Sequence, residues 1–420
     1  MVVLLALMFS QLSFSSENLF KLYKDLHANP ELSWSEEKTS ARMAEELKKI
    51  GFEVTTQVGK RGVVGVLKNG KGPTLLIRTD MDALPVEENT GFSFASRVKA
   101  KNSKGEEVSV MHACGHDIHM TVFIGTAQIM MNSKSQWKGT LVMMAQPAEE
   151  LGQGATAMLK DGLFKKFPTP QFALALHVKS DAKAGHIAYR SGFAMANVDS
   201  IDITVKGIGG HGAYPHKTKD PIVLASQIVL ALQTIVSREV SPLDNAVVTV
   251  GAIHAGTKNN IIPDSAHLKI TVRTYKDEVR SHILKSIKRI TFGLSEAAGI
   301  PKELEPEIKE SEEYTPATYN DPGLMNRIVL SFKKVMPEKN IFETEPVMGG
   351  EDFGQLGRTE PKIPIAMFML GAAPHKMYEE YHKKKQPLPS LHSSTFTPDW
   401  ETAIPAGVKA MTAAALDLLQ

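Results

Sequence analysis

The chain has 420 residues, 42% of them hydrophobic, which is enough for a large core and for two domains and argues against a disordered or fibrous protein. Lys and Arg total 48 against 46 Asp and Glu, so the net charge of +2 gives no basic footprint for nucleic acid. A lone cysteine cannot close a disulfide within the chain, and cysteine usage therefore points to neither an oxidising nor a reducing compartment.

The amino terminus, "MVVLLALMFSQLSFSSEN", has an apolar core of about nine residues followed by small polar ones, as the hydrophobic part of a secretory signal does, but no basic residue precedes it. Residues 1–16 are read as a truncated-looking signal, with export or a periplasmic location as its consequence. A mis-assigned start or a short buried segment is the alternative and fits a cytoplasmic protein. No other stretch approaches the ~18 continuous apolar residues of a bilayer span, so no integral membrane body is expected. "LFKLYKDLHANPELSWSEEKTSARMAEELKKI" predicts two helices separated by a turn at Asn29 and Pro30, the second stopped by Gly51.

The runs "TLLIRTD" (74–80), "GTLVMMA" (139–145), "FALALHV" (172–178) and "IPIAMFML" (363–370) are short and apolar with polar ends. They predict buried strands of a largely parallel sheet, and helical patterns such as "HMTVFIGTAQIMM" between them give an α/β arrangement. Chemistry in such sheets gathers beyond the carboxyl ends of the strands. Asp80, Glu149, Glu150 and His177 fall at or just past such ends. Between them and the last run, "DSIDITVKG", "NAVVTVGAIHAG" and "SAHLKITVRTY" alternate as half-exposed antiparallel strands do, with helical patterns interleaved. The expected division is a catalytic domain over 17–191 and 316–420, interrupted by an α+β domain over 192–315 with short connections near Gly192 and Tyr319.

"MHACGHDIHM", residues 111–120, places Cys114 among His112, His116 and His119. Cys114 and His116 can reach one ion from a turn leading into a helix near Asp117. A packed thiol, a redox thiol lacking a resolving partner, and a nucleophile with a neighbouring histidine as base are the other readings. In "MAQPAEELGQG", Glu149 and Glu150 can divide the work, one on metal and one free to take a proton from water; the alternative is a solvated helix start. His177 follows a strand, where a hydrogen-bonded core histidine is the plain reading, and "PSLHSSTF" offers His392. Together these donors suit two ions ~3.5 to 4 Å apart, of Zn, Mn or Co type. "PVMGGEDFGQL" is no nucleotide loop, because it lacks the lysine, hydroxyl and spacing of that motif.

In order along the chain, "RTDMDALPVEE", "MHACGHDIHM", "AQPAEE", "ALHV", "GGHGAYPH", "GTKNNIIPDSA", "GGEDF" and "LHSSTFTPDW" resemble the M20 peptidase and amidohydrolase family, in its N-acyl-amino-acid amidohydrolase and carboxypeptidase branch. The resemblance implies a mixed-sheet α/β catalytic domain with a dinuclear metal site and an inserted ferredoxin-like α+β lid and dimerisation domain. It makes Cys114 the bridging thiolate, and His116, Glu150, His177 and His392 the other ligands of two divalent ions (Zn, Mn, Co or Ni). Glu149 becomes the general base. Many relatives carry a ligating histidine in a His-x-Asp motif where this sequence has Arg78 before Asp80, and the ligand moves to His116. Asp80, His112, His119, His216 and Glu351 take supporting positions, although Asp80 also suits a turn cap. His211 is implied as the stabiliser of the oxyanion, presented across a dimer interface. Asn260 and Arg273 are candidates to bind substrate oxygens; a structural Arg273, paired within the lid, is the alternative. The expected activity is hydrolysis of N-acyl amino acids by water, with a carboxypeptidase or dipeptidase as the second enzyme reading and a non-catalytic binding protein on the same fold as the third. The partners expected are a small acylated or peptide substrate and a second copy of the chain.

Overall fold

The computed structural model describes residues 16–311 and 314–420, so the apolar segment read as a signal lies outside the described residues except for Ser16. Two compact units emerge. One runs up to Ala194 and resumes over Tyr319–Pro346 and Asp352–Gln420; the other is Met195–Thr318 with Val347–Glu351.

The first unit opens with α1 (Ser16–Ala28) and α2 (Glu37–Ile50). Gly51 ends α2 in the left-handed conformation, φ 106°, and its N–H donates to the carbonyls of Leu47 and Lys48. There follow β1 (Glu53–Val58), β2 (Gly62–Asn69), β3 (Thr74–Asp80), α3 (His116–Asn132), β4 (Gly139–Gln146), β5 (Phe172–Lys183) and β6 (Ile187–Tyr189). The second unit holds β7 (Asn197–Lys206), α4 (Pro221–Thr234), β8 (Ala246–Ala255), β9 (Ser265–Thr274), α5 (Asp277–Ala297) and β10 (Glu307–Glu310). The first then resumes with α6 (Pro322–Val335), β11 (Ile341–Glu343), β12 (Ile365–Ala373) and α7 (Trp400–Leu418).

The large sheet has the order β1-β2-β4-β3-β5-β12-β6-β11. Its centre is parallel: β4 with β3, β3 with β5, and β5 with β12. β1 and β2 add antiparallel pairs at one side, and β6 runs antiparallel to β12 at the other, which makes the sheet mixed. The central strands carry apolar runs because both faces are covered: Leu75, Leu76 and Ile77 are buried, as are Leu141 to Met144. Helix α3 has no polar stripe, and nearly all its side chains are buried. Gly125 lets it approach its neighbours, since a Cβ there would lie 2.6 Å from Val408 in α7 and 2.9 Å from Leu19 in α1. Burying α3 carries the HACGH turn, at its amino end, to the carboxyl edge of the parallel strands.

In the second unit the order β8-β9-β7-β10 is antiparallel throughout, and with α4 and α5 it makes a ferredoxin-like βαββαβ arrangement. Ile201, Ile203 and Val205 of β7 join Leu268, Ile270 and Val272 of β9 beneath Leu224, Ile228 and Leu232 of α4 and Ile283 and Ile287 of α5. The alternate residues Asp202, His267 and Lys269 face outward and are not buried. The apolar stretch Pro221–Glu239 has the length and mean hydropathy, 1.4, of a membrane span, but one side of it is committed to this core.

One buried ionic cluster ties the helices of the first unit together. His27 of α1 places Nδ1 2.6 Å from Asp117 Oδ2 of α3 and Nε2 3.0 Å from Glu88 Oε1. Burial opposes a charge on His27, but the hydrogen bonds and charges of Asp117 and Glu88 outweigh it and raise its pKa to about 9. Both carboxylates are held below their usual range against burial, chiefly through their hydrogen bonds to His27. A protonated His27 donates from both nitrogens, and its removal leaves two buried anions without their shared cation. His27→Ala is expected to destabilise the protein by about 3 to 5 kcal/mol at pH 7, measured by urea unfolding. In the parent, the raised pKa means that the contribution of His27 is complete below pH ~6.5 and is lost as pH rises through the folded value, whereas that of the carboxylates is lost on acidification. The difference between parent and variant should therefore shrink towards pH 10. A difference independent of pH would contradict the cluster's charge state.

Candidate metal centre

Parallel strands bring their carboxyl ends to one edge, and acids and a histidine gather there. β3 ends at Asp80, with Asp82 two residues on; β4 leads through Pro147 and Ala148 into Glu149 and Glu150; β5 carries His177. The amino end of α3 meets them. Gly115, φ 76°, lies between Cys114 and His116, and a Cβ on it would stand 2.6 Å from Val178, so only glycine allows that turn to close on β5. His392 arrives from near the carboxyl terminus with its backbone in the left-handed region, φ 64°, and its N–H donates to the Ala113 carbonyl at 2.9 Å.

The donor atoms converge in overlapping groups. Cys114, His116 and His177 form one, Cys114, Glu150 and His392 a second, and His116, Glu149 and Glu150 a third, each with its ligand atoms within 4.8 Å of one another. Cys114 Sγ is 3.5 Å from His177 Nε2 and 3.3 Å from His392 Nε2; Glu150 Oε1 is 3.5 Å from His392 Nε2 and 3.8 Å from His116 Nε2. The sharing of Cys114 and Glu150 between groups is the geometry of two neighbouring divalent ions.

The chemistry of these donors fits cations. His116 Nδ1 lies 2.8 Å from the Asp82 carbonyl, which can only accept, so Nδ1 carries a proton and Nε2 is the atom that would meet a cation; against burial, the charge of Asp80 and the bond to Asp82 raise the pKa of the ring well above its ordinary value. His177 Nδ1 donates in the same way to the Val178 carbonyl at 2.8 Å. Among the described residues, His116 Nε2 and Glu150 Oε1 are buried without a hydrogen-bond partner, a costly arrangement that a cation relieves. Burial, then the charge of Glu150, pushes the Cys114 thiol well above its ordinary pKa, and burial raises Glu150 to about 7.

His119, one turn along α3 from His116, is committed elsewhere. Its Nδ1 lies 2.7 Å from Asp80 Oδ1, and its Nε2 accepts from the Val178 N–H at 2.9 Å. Both nitrogens are engaged in a neutral ring, and burial lowers its pKa to about 4 although Asp80 works in the other direction. Among the described residues, buried His112 has neither ring nitrogen hydrogen-bonded and joins none of the ligand groups. Asp80 is bound by Arg78 as well as His119. Arg78 Nη1 donates to Asp80 Oδ2 at 2.7 Å, Nη2 to Asp352 Oδ1 at 3.0 Å and Nε to Gln146 Oε1 at 3.0 Å.

Asp82 is the residue that motif reading passed over. Its Oδ1 accepts from the Glu149 N–H and its Oδ2 from the Glu150 N–H, both at 3.1 Å, and its backbone carbonyl orients His116. The signal was present as the second acid of "RTDMDALP", one strand period beyond Asp80.

The remaining candidates belong to the second unit. His211 and Asn260 lie side by side there: the Gly212 N–H donates to the Asn260 carbonyl at 2.8 Å, and His211 pairs with Ile261. His211 is exposed, and its Nδ1 accepts from the Ala213 N–H at 3.0 Å; His216 is exposed nearby. Arg273 is half-buried, with Nε donating to Thr271 Oγ1 at 3.1 Å. Glu351 is buried, and its carbonyl accepts from Thr318 Oγ1 at 3.1 Å.

A site of thiolate, imidazole and carboxylate donors for two divalent ions, at the carboxyl edge of a mixed sheet, defines a metal-dependent hydrolase. The sequence pattern of peptidase family M20/M25/M40 matches residues 76–416, and the chain belongs to that family. It is 36% identical to thermostable carboxypeptidase 1 of Saccharolobus solfataricus over 91% of this chain and 90% of that one. It is 39% identical to hippurate hydrolase of Campylobacter jejuni over 80% and 83% of the two chains. Among solved structures, a dinuclear metal-binding M20 peptidase of Bacillus subtilis superposes with a TM-score of 0.77 at 30% identity, covering 97% of this chain and 99% of its own. The protein is thus a metal-dependent amidohydrolase of the M20 family.

Without ions the site stores protons on Cys114, on His116 and on part of the Glu150 population, and ligands must lose them to bind metal. Metal uptake by the stripped protein should release at least one proton per chain at pH 7, and affinity should rise between pH 6 and 8. Calorimetric titration in two buffers of different ionisation enthalpy measures this release. Uptake with no proton released would contradict the thiol's place in the centre.

Proposed function

We propose that the protein hydrolyses the amide bond of N-acyl amino acids, using Cys114, His116, Glu150, His177 and His392 as ligands and Glu149 as general base. The observation that carries this reading is the pair of adjacent glutamates held by Asp82 through consecutive backbone amides, with Glu150 drawn into the Cys114 and His392 group. Two divalent ions, when bound, polarise the amide carbonyl and acidify water. Glu149 takes the proton of the attacking water and returns it to the departing nitrogen, so the amine leaves neutral. Glu150, tied to the ions by charge and orientation, cannot shuttle that proton as well. Asp80 and His119 steady the ligand loop, since His119 binds the peptide that follows His177.

For the substrate's free carboxylate, Arg273 is the proposed partner, with Asn260 and His211 acting on the amide and the oxyanion. Among the described residues, no acid lies within ion-pair distance of Arg273. The neighbouring Asp199 is instead bound by Arg280 through three hydrogen bonds, the shortest 2.6 Å. A half-buried guanidinium left in this state suits an incoming carboxylate. The similarity to both a hippurate hydrolase and a carboxypeptidase fits one machine whose substrates share an amide beside a free carboxylate, and short peptides are the second substrate class. We further propose that two copies pair through the second unit. β8 is an edge strand of its sheet, and Ile222, Val223, Leu230, Leu243 and Ile253 are exposed on or beside it.

Glu149→Gln is expected to retain two ions per chain and lose about 10²-fold or more in kcat, read with acetyl, benzoyl and aminoacyl derivatives of one amino acid. Wild-type turnover by the metal-replete variant would remove Glu149 as base, and a preference for aminoacyl donors would move the assignment to a peptidase. Arg273→Gln should raise KM about tenfold or more for free-carboxylate substrates and leave amidated ones unaffected. Leu230→Glu should sediment as a monomer where the parent sediments as a dimer; an unchanged species would place the contact elsewhere.

A further inference from the structure

Between α1 and α2, the segment "ELSWSE" over 31–36 reads in the sequence as a simple connection, yet four of its residues are tied to the two loops around the metal site or to α2. The Glu31 carbonyl accepts from the Ala83 N–H at 2.8 Å. Ser33 Oγ donates to Asp82 Oδ2 at 2.6 Å, and Trp34 Nε1 donates to Gln153 Oε1 at 2.6 Å. Glu36 Oε1 accepts from the Ala148 N–H at 2.7 Å. The segment thus spans from the Asp82 loop to the loop that carries Glu149 and Glu150.

Glu36 is the unusual member. It stands at the N-cap position of α2, where serine, threonine, asparagine or aspartate is favoured, and its side chain makes no cap bond. Glu31 has taken that task, accepting at Oε2 from the Thr39 N–H at 2.8 Å and at Oε1 from the Lys38 N–H at 3.2 Å. Glu36 is fully buried, with Oε2 lacking a hydrogen-bond partner among the described residues, an expensive placement for a carboxyl group. Burial, then the charge of Asp82, raises its pKa to about 7, and its Oε1 can accept a hydrogen bond in either protonation state.

What Oε1 binds accounts for that placement. Ala148 is a non-glycine residue at φ 49°, in the left-handed region that a Cβ disfavours. Its peptide groups are pinned on both sides: the N–H by Glu36, and the carbonyl by the N–H groups of Gln153 and Gly154, each at 3.2 Å. The next two amides, of Glu149 and Glu150, go to Asp82. Three consecutive backbone donors are therefore captured by two buried carboxyl groups, and the strained residue is the one Glu36 holds.

We infer that Glu36 is a positioning residue for hydrolysis: by binding the Ala148 amide it holds the left-handed turn that sets where Glu149 and Glu150 stand. The inference rests on the proposed roles of those two glutamates, and its effect on the reaction passes entirely through Ala148.

The test uses the full-length metal-replete enzyme, with kcat, KM and bound metal measured together. Glu36→Met keeps the volume and removes the acceptor; it should lower kcat about 10- to 100-fold, with KM and metal content near those of the parent. Glu36→Gln, which keeps an acceptor oxygen, should stay within about threefold of the parent. In an Ala148→Gly background, where the left-handed turn carries no Cβ penalty, Glu36→Met should cost a markedly smaller factor than in the parent. An equal loss in both backgrounds would mean that residue 36 matters only to packing, and overturns the inference, as does unchanged kcat in Glu36→Met. Should Glu36→Met fail to fold, Glu36→Gln decides the matter, since a loss of tenfold or more there shows that the acceptor is not what is needed. The base assignment is judged separately by Glu149→Gln, whose outcome does not depend on residue 36.

Discussion

Buried negative charge at the carboxyl edge of the sheet is the constraint on which the rest of the first unit depends. Asp80, Asp82, Glu149, Asp352 and Glu36 are all buried there, with Glu150 and the Cys114 thiol beside them. Anions so placed are tolerable only when paired or hydrogen-bonded. The structure answers them in several ways. Arg78 neutralises Asp80 and Asp352 together; Ser33 and two backbone amides satisfy Asp82; the Ala148 amide serves one oxygen of Glu36. Cys114, Glu150 and the Nε2 atoms of His116, His177 and His392 are then left facing one another, which is the arrangement that two cations complete.

The fold makes this crowding possible. Parallel strands deliver several chain segments to one edge, and a helix buried on all sides brings its amino end to the same place. The order of the sheet puts β3 between β4 and β5, so Asp80 lies between the strand leading to the paired glutamates and the strand carrying His177. Position is then refined by backbone amides: 148, 149 and 150 are each held through N–H. The second unit contributes a separate core and a set of polar groups, His211, Asn260 and Arg273, on its own strands and loops.

Much of this was legible from sequence because it is local. Apolar runs of strand length, the turn at Gly115 and the alternating pattern of β7 and β9 each announce themselves within ten residues or so. The supporting network does not. Arg78 reaches Asp352 across 274 positions, and Glu36 reaches Ala148 across 112, so no spacing rule connects them. Glu36 in particular stands at the start of a helix with no motif around it, and only its burial reveals its use. His119, one turn after His116, likewise has its lone pair taken by a partner no spacing announces, the Val178 N–H 59 positions away.

We propose that the lone cysteine bridges two ions at this edge. X-ray absorption fine structure on the protein reconstituted with zinc or cobalt tests it most directly. A sulfur neighbour at ~2.3 Å, together with a second metal at ~3.5 to 4 Å, is the predicted result, with the sulfur contribution absent from Cys114→Ser. A shell of nitrogen and oxygen alone in the parent protein, with no second metal, would contradict it.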